Sequence, residues 1–303
     1  MTYEHPLAYL IGVQGIALLR SLTGDVEGPG GRAFVEARLG EVRKLLDDER
    51  LAGAAVDVAR VGTVDGYGIW SATYDGPNAA FALDTPLVEE VVGELPPGRA
   101  LDAACGTGRI AVLLAGHGHE VTGVDSSPAM LARARERVPG GVFLEGDVRA
   151  LPVADGVVDL VTCSLALTHV PDLAPVFAEF ARVLRPGGHL VVSDVHPERV
   201  ARGVIPPVRL PDGRPGRLAS HRHLVGDYLR AALPRGLRVL RCEEPGVPPA
   251  EDPEGAPGAS AAPEPGPWDL WPWSLAALAP EATAAADAGT PAALVWHFQL
   301  DGA

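Results

Sequence analysis

Two glycines spaced two apart, Gly106 and Gly108, close the run ALDAACGTG, and a carboxylate, Asp102, stands just ahead of them. Apolar residues on both sides make this a strand that turns sharply on small residues and enters a helix. Such a turn brings the backbone against a nucleotide-like ligand. Two later apolar runs also end on carboxylates: HEVTGVD on Asp125 and GVFLEGD on Asp147. Asp125 lies 19 residues past Gly106, where an acidic side chain can hold a ribose hydroxyl. His169 and His196 follow the next two apolar runs, and open α/β sheets bind ligands beyond the carboxyl ends of their strands. Either histidine could serve as a general base toward an acceptor that still carries a proton.

These residues need a scaffold. From about residue 98, strands alternate with helices. RALDAAC is a strand and 108–116 a helix; HEVTGVD is the next strand. Ser127 caps a helix with Pro128 in its first position, running to about Val138. GVFLEGD and VVDLVTCSLAL are strands. DLAPVFAEFARVL is a helix with an apolar stripe at Leu173, Val176, Phe177, Phe180 and Val183, ended by RPGG before the strand HLVVSDV. Repeated β-α units imply an α/β, doubly wound parallel sheet with right-handed crossovers.

Upstream, residues 6–20 and 32–47 have helical spacing, the second with a stripe at Phe34, Val35, Leu39, Val42 and Leu45, and GPGG at 28–31 separates them. Two β-rich runs around Asp65-Gly66 predict a hairpin. Residues 1–72 therefore read as an N-terminal helical appendage closed by a hairpin, a cap or dimerisation element, with the main domain over 73–303. Two segments interrupt that domain. Residues 196–222, rich in Pro, Gly and Arg, form an inserted substrate cap, and 246–267 form a mobile Pro/Gly/Ala-rich loop. WDLWPW, a helix around 274–287 and a last strand AALVWHFQL follow.

The chain has 303 residues, 47% hydrophobic and 21% charged, and is globular rather than disordered. Its net charge of −14 and lack of a basic patch argue against a nucleic-acid partner. Three cysteines with no Cys-x-x-Cys pair fit a reducing cytoplasm. The apolar run PLAYLIGVQGIALL follows Glu4 rather than a cationic region and is shorter than the roughly 20 residues a bilayer needs, so it reads as a buried helix, with no membrane partner. A homodimer stays open.

Two ligands compete for the glycine turn. Gly106, Gly108 and Ala111 satisfy the G-x-G-x-x-A pattern of a nicotinamide dinucleotide site. Against NAD or NADP, no Tyr is followed four residues later by Lys, since Lys44 is the one lysine. Asp102 would also repel a pyrophosphate and attract a cationic amino-acid moiety.

LDAACGTG, GVDSSPAML, EGDVRALPVADGVVDLVTCSLALTHV and RVLRPGGHLVVSD, in that order and spacing, resemble the successive motifs of class I S-adenosylmethionine-dependent methyltransferases over roughly 64–200. Ala104 departs from the pattern, standing where many members have the first glycine of the turn. The resemblance implies a Rossmann-like, mostly parallel seven-stranded sheet and S-adenosyl-L-methionine as donor, with S-adenosyl-L-homocysteine as product. It places Asp102 and the backbone of Ala103, Ala104, Cys105, Gly106 and Gly108 at the methionine end. Asp125 would take the ribose hydroxyls, Ser126 and Met130 would border the adenine, and Asp147, with Gly146 and Val148 beside it, would accept from the adenine amino group. Ser164 and Leu165 would close over the methionine moiety, and Trp70 and Tyr74 of GYGIWSATYD match an aromatic element that covers the donor.

Methyl transfer from a sulfonium is an in-line displacement whose leaving group is already in place, so the protein chiefly aligns the reactants in a dry pocket. His169 and His196 are the candidates for any base. His221, His223 and Tyr228 read better as a solvated helix start, and no metal site is expected, because no acidic or Cys ligand is close to the two histidines. The acidic chain carries no nucleic-acid or peptide-reading module, which favours a small-molecule acceptor. Trp268, Trp271 and Trp273 read as core rather than as an acceptor wall. A protein that binds S-adenosylmethionine without transferring its methyl group is the remaining alternative.

Overall fold

The computed structural model describes residues 1–23, 31–71, 74–76, 79–246 and 268–302. All but Gly246 of the loop expected at 246–267 lies outside them, as do residues 28–30 of the GPGG separator. In chain order the elements begin with strand β1 (Thr2–Glu4) and helices α1 (Pro6–Thr23), α2 (Arg32–Leu46) and α3 (Glu49–Ala52). Next come β2 (Val56–Val61), α4 (Thr63–Trp70), α5 (Ala79–Glu94), β3 (Arg99–Ala103), α6 (Arg109–Gly116) and β4 (Glu120–Asp125). Then follow α7 (Pro128–Arg137), β5 (Val142–Glu145), β6 (Val158–Ser164), a 3-10 turn at Leu167–His169, α8 (Leu173–Val183), β7 (Leu184–Val195) and α9 (Pro197–Ala201). The chain finishes with β8 (Pro207–Arg209), β9 (Pro215–Leu218), α10 (Val225–Ala232), β10 (Leu237–Glu243), α11 (Trp273–Ala276), α12 (Pro280–Asp287) and β11 (Ala293–Leu300).

The chain divides into two compact units. The larger comprises Val61–Arg202, Leu218–Gly246 and the C-terminal stretch from Pro291. It holds a seven-stranded sheet in the order β10-β11-β7-β6-β3-β4-β5. The run from β7 to β5 is parallel, and β11 and β10 are antiparallel. The strands between the two faces read as nearly continuous apolar runs because both faces are covered. On one face α8 buries its whole predicted stripe, with Phe177 edge-on to Phe180 and Phe298 at 5.7 and 5.9 Å. Each such buried ring contributes about 2–3 kcal/mol. On the other face Val88, Val92, Leu114 and Leu131 of α5, α6 and α7 form a second core. The predicted cap of α7 forms, with Ser127 Oγ accepting from Met130 N, and Asp172 caps α8 by accepting from Ala174 N. RPGG does not separate α8 from its strand: β7 begins at Leu184 and runs through Gly187, whose φ is 79°.

The smaller unit comprises Met1–Arg60, Gly203–Arg217 and the described part of the stretch ending at Thr290. It holds the sheet β1-β2-β9-β8 and a core of Leu10, Val13, Ala17, Leu51 and Val58 with Trp268 and Trp271. Trp273 is exposed, so two of the three tryptophans are core. In α2 the apolar stripe is only half covered and Leu39 is exposed. The buried residue is Arg38, which pairs with Glu41 and Glu281. The helix expected at 274–287 is broken between α11 and α12, where Pro280 restarts it. The Pro-rich stretch 196–222 is not one insertion. It contains α9 in the larger unit and, in the smaller one, the β8–β9 hairpin turned on Pro211-Asp212-Gly213.

The expected hairpin of the N-terminal part is overturned. No hairpin forms at Asp65-Gly66: β2 pairs with β1, Thr2 opposite Val58, and residues 63–70 are the helix α4. Asp65 sits in the first turn of α4, where a carboxylate suits the positive helix terminus. Gly66 serves packing rather than a turn, since a Cβ there would meet Leu218 Cδ2 at 1.9 Å.

Candidate active site

At the carboxyl ends of the parallel strands lies a cavity of about 350 Å³, lined entirely by residues of the larger unit. Four strand-end turns form its floor. After β3 the chain passes through Ala104, Gly106 and Gly108, all with positive φ (57°, 53° and 85°). Gly108 has a steric reason as well, because a Cβ there would lie 3.2 Å from Ala134 Cα. After β4, Asp125 binds this turn to its own: Oδ2 accepts from Gly106 N at 2.9 Å and Oδ1 from Ser127 N at 2.8 Å. Burial pushes the Asp125 carboxyl up, and these backbone N–H groups oppose the rise. After β5 come Gly146, Asp147 and Val148. Arg149 donates to both oxygens of Asp147, which holds that carboxyl below its usual range. After β6, Leu165 adopts φ 55°, with its N–H donating to Ser193 O.

Asp102 sits one shell behind this floor, fully buried on β3 and outside the cavity wall. Its Oδ1 accepts from Thr162 Oγ1 at 3.1 Å, whereas Oδ2 is buried with no partner. Burial pushes the carboxyl up to about 7, against the pull of the Thr162 bond. Ser164 Oγ is likewise buried and unpartnered. Such groups are costly to leave unmade and point to a ligand that would satisfy them.

The opposite wall comes from the start of α4 and from Tyr74. Thr63, Val64, Asp65, Tyr67 and Tyr74 line the cavity. Tyr67 meets Trp70 and Tyr74 edge-on, each at 5.7 Å. Next to Tyr74, Asp75 accepts from Thr107 Oγ1 at 2.6 Å and pairs with Arg137 at 2.6 Å. Behind it Arg109 lies 4.4 Å over Phe81 and pairs with the buried Asp84, which also accepts from Ser193 Oγ.

Of the residues singled out from sequence, Tyr74, Ala104, Gly106, Asp125, Ser126, Met130, Gly146, Asp147, Val148, Ser164, Leu165 and His169 share this cavity. Trp70, Asp102, Ala103, Cys105 and Gly108 lie outside the wall. Trp70 packs behind Tyr67 and Tyr74, and the Cys105 thiol is buried, which pushes it far up. His196 is a correction. It is buried outside the cavity wall as the cap of α9: Nδ1 accepts from Glu198 N and Nε2 pairs with Glu244 at 2.9 Å. Both ring nitrogens are engaged, which leaves none for a substrate. His223 donates from Nε2 to Val170 O, and Tyr228 donates to Asp194; neither lines the cavity. Missed from sequence were Tyr67, the start of α4 and Arg149. The aromatic spacing 67, 70, 74 was the available signal, since it is helical and not that of a strand.

Residues 101–192 match the family model described as a methyltransferase domain. This stretch is a class I, S-adenosylmethionine-type methyltransferase domain. The match decides between the two ligands in favour of the methyl donor. A demethylmenaquinone methyltransferase of Renibacterium salmoninarum is 42% identical over 112 residues, covering 37% of this chain and 47% of that protein. A malonyl-[acyl-carrier protein] O-methyltransferase of Serratia marcescens is 36% identical over 119 residues, 38% of this chain and 47% of that one. The chain thus spans about half the length of these curated relatives. An S-adenosylmethionine-dependent methyltransferase from Mesorhizobium loti shares the fold with a TM-score of 0.51 at 24% identity, covering 73% of this chain and all of that one. The methyltransferase complex with the Trm112 activator from Haloferax volcanii gives 0.56 at 21%, covering 79% and 98%.

Proposed function

We propose that the protein transfers the methyl group of S-adenosylmethionine to a small-molecule acceptor. The observation that carries this reading is the cavity in which the turns after β3, β4, β5 and β6 converge beneath Tyr67, Tyr74 and His169. The donor supplies a methyl group on a positively charged sulfur, a leaving group that needs no acid.

The residues present fit that donor. Asp102 Oδ2 and Ser164 Oγ are buried acceptors with nothing to accept, as the methionine ammonium end requires. Asp125 keeps spare lone pairs on both oxygens after its two backbone bonds, enough for a ribose diol. Asp147, fixed by Arg149, and Met130 would bound the adenine. Trp70 would stiffen the aromatic wall, and Ala103, Cys105 and Gly108 would hold the turn. A net charge of −14 supports a small acceptor over a nucleic acid, and the curated relatives bear the names of methyltransferases.

Thermal shift with S-adenosylmethionine, S-adenosylhomocysteine, NAD and NADP tests the reading. A ligand at 100 times its Kd adds about 2.7 kcal/mol. The two sulfur nucleosides should raise Tm by several degrees and the dinucleotides should not. Release of S-adenosylhomocysteine is then screened over a library of small acceptors. Stabilisation with no turnover on any acceptor would favour a non-methylating binder, and no stabilisation would overturn the reading.

A further inference from the structure

His169 is held from both sides. Its Nδ1 lies 2.8 Å from Ala219 O, and its Nε2 lies 3.0 Å from the Tyr67 hydroxyl. A carbonyl can only accept, so Nδ1 carries the proton and donates it. In a neutral ring Nε2 is then a bare lone pair, and Tyr67 must donate to it. The phenol oxygen has no other hydrogen bond among the described residues, so it keeps acceptor capacity, and Tyr67 and His169 both line the cavity.

We propose that Tyr67 and His169 form a two-step proton relay, and that the acceptor presents its nucleophilic atom as a hydroxyl. The proposal rests on the methyl-transfer reading above. The acceptor O–H bond breaks, its proton goes to Tyr67 Oη, and its electron pair forms the new O–CH3 bond. The Tyr67 O–H bond breaks in the same event, and that proton goes to His169 Nε2. The phenol ends neutral, and the imidazolium takes over the positive charge that the sulfonium gives up.

Three features suit this order. Burial pushes the Tyr67 phenol well above its ordinary 10, so it cannot hold a phenolate and must pass its proton on as it receives one. Ala219 O remains bonded to the imidazolium. The buried Asp194 lies within electrostatic reach of His169 and fixes the 3-10 turn that carries it, accepting from Thr168 N and Oγ1 at 2.6 Å each. A hydroxyl, unlike a thiolate or a free amine, must lose its proton during the displacement, which is the step a positioned base accelerates.

The first test needs neither donor nor acceptor. Long-range 1H–15N spectra of the 15N-labelled protein should show His169 protonated at Nδ1, with an Nε2 resonance that moves in Tyr67→Phe while Nδ1 stays. An Nε2-protonated ring, or an Nε2 unmoved by Tyr67→Phe, overturns the relay whatever the donor proves to be. The second test uses the acceptor that the screen delivers, with Tyr67→Phe and His169→Asn, the latter retaining a donor for Ala219 O. Turnover should fall about 100-fold in each, with the Kd for S-adenosylhomocysteine within twofold of wild type. Wild-type turnover in either variant, or an acceptor with no hydroxyl, overturns the proposal and leaves methyl transfer standing. Lost S-adenosylhomocysteine binding in the wild type removes the methyl-transfer reading instead.

Discussion

Replacing Asp102 by Asn should stabilise the protein at alkaline pH while weakening donor binding. Asp102 is fully buried, one of its oxygens has no partner, and its carboxyl is pushed from an ordinary 3.8 to about 7. A raised folded-state value means that the native state holds its proton when the unfolded chain has lost it. The contribution of Asp102 to stability is therefore greatest below 3.8, falls as pH rises toward 7, and is flat above. The full rise corresponds to about 4 kcal/mol at pH 8, of which about 2 kcal/mol is already present at pH 5. The amide oxygen of Asn keeps the Thr162 bond. Its NH2 is buried without a partner at a cost of about 1–3 kcal/mol that does not depend on pH. The variant should thus be about 1–3 kcal/mol more stable at pH 8 and within about 1 kcal/mol of wild type at pH 5. Urea titrations of both proteins at pH 5, 6.5 and 8 measure this, and subtracting the two profiles cancels every other titrating group. The gap should widen by about 2–3 kcal/mol from pH 5 to 8. Parallel profiles would refute the assignment of a buried carboxyl with one oxygen unpartnered. In the same variant, S-adenosylmethionine affinity should drop by about 2 kcal/mol, because the negative charge one shell behind the ammonium is lost.

Asp125→Ala should weaken S-adenosylhomocysteine binding by more than about 1.5 kcal/mol in calorimetry, since two charge-assisted bonds disappear; unchanged affinity would sink the ribose assignment. Gly108→Ala should cost about 2 kcal/mol or more in urea, adding left-handed strain at φ 85° to a contact 3.2 Å from Ala134 Cα. An equal Cm would show that the turn relaxes freely. His196→Ala should cost about 1 kcal/mol of stability through the lost cap on α9. Its turnover should match wild type, and a selective loss of turnover would return His196 to the chemistry.

The sheet was legible because its signals are local. Asp125 and Ser127 end a strand and start a helix within three residues, and the α8 stripe repeats at helical spacing over one buried face. The features that stayed hidden depend on partners distant in sequence. Asp65-Gly66 carries a hairpin signal, but β1, more than fifty residues earlier, occupies the edge that a hairpin strand would need. Arg38 interrupts an apolar stripe and is the buried residue of α2, because Glu281 lies opposite it from a segment 243 residues away. The same misreading hid part of the site. With 63–70 taken as strand, Tyr67 and Trp70 point to different places, whereas on a helix Tyr67 faces His169.

Ala104 and Leu165 are the two non-glycine residues with positive φ among those described, and both border the cavity. Each conformation costs about 1–2 kcal/mol for a residue with a Cβ. Neither is relieved by the packed sheet below, where β3 and β6 are ordinary parallel neighbours paired Leu101 to Val161. Added to the unmet Asp102 oxygen, they make the carboxyl end of the sheet the place where the fold is held against its own preferences. The cores of α5–α8 can bear that cost because they are apolar and closed. A ligand whose positive charge settles over Asp102 would recover part of the cost of burying that oxygen as binding energy. The stabilisation of Asp102→Asn at pH 8 and its loss of donor affinity are therefore two readings of one buried oxygen.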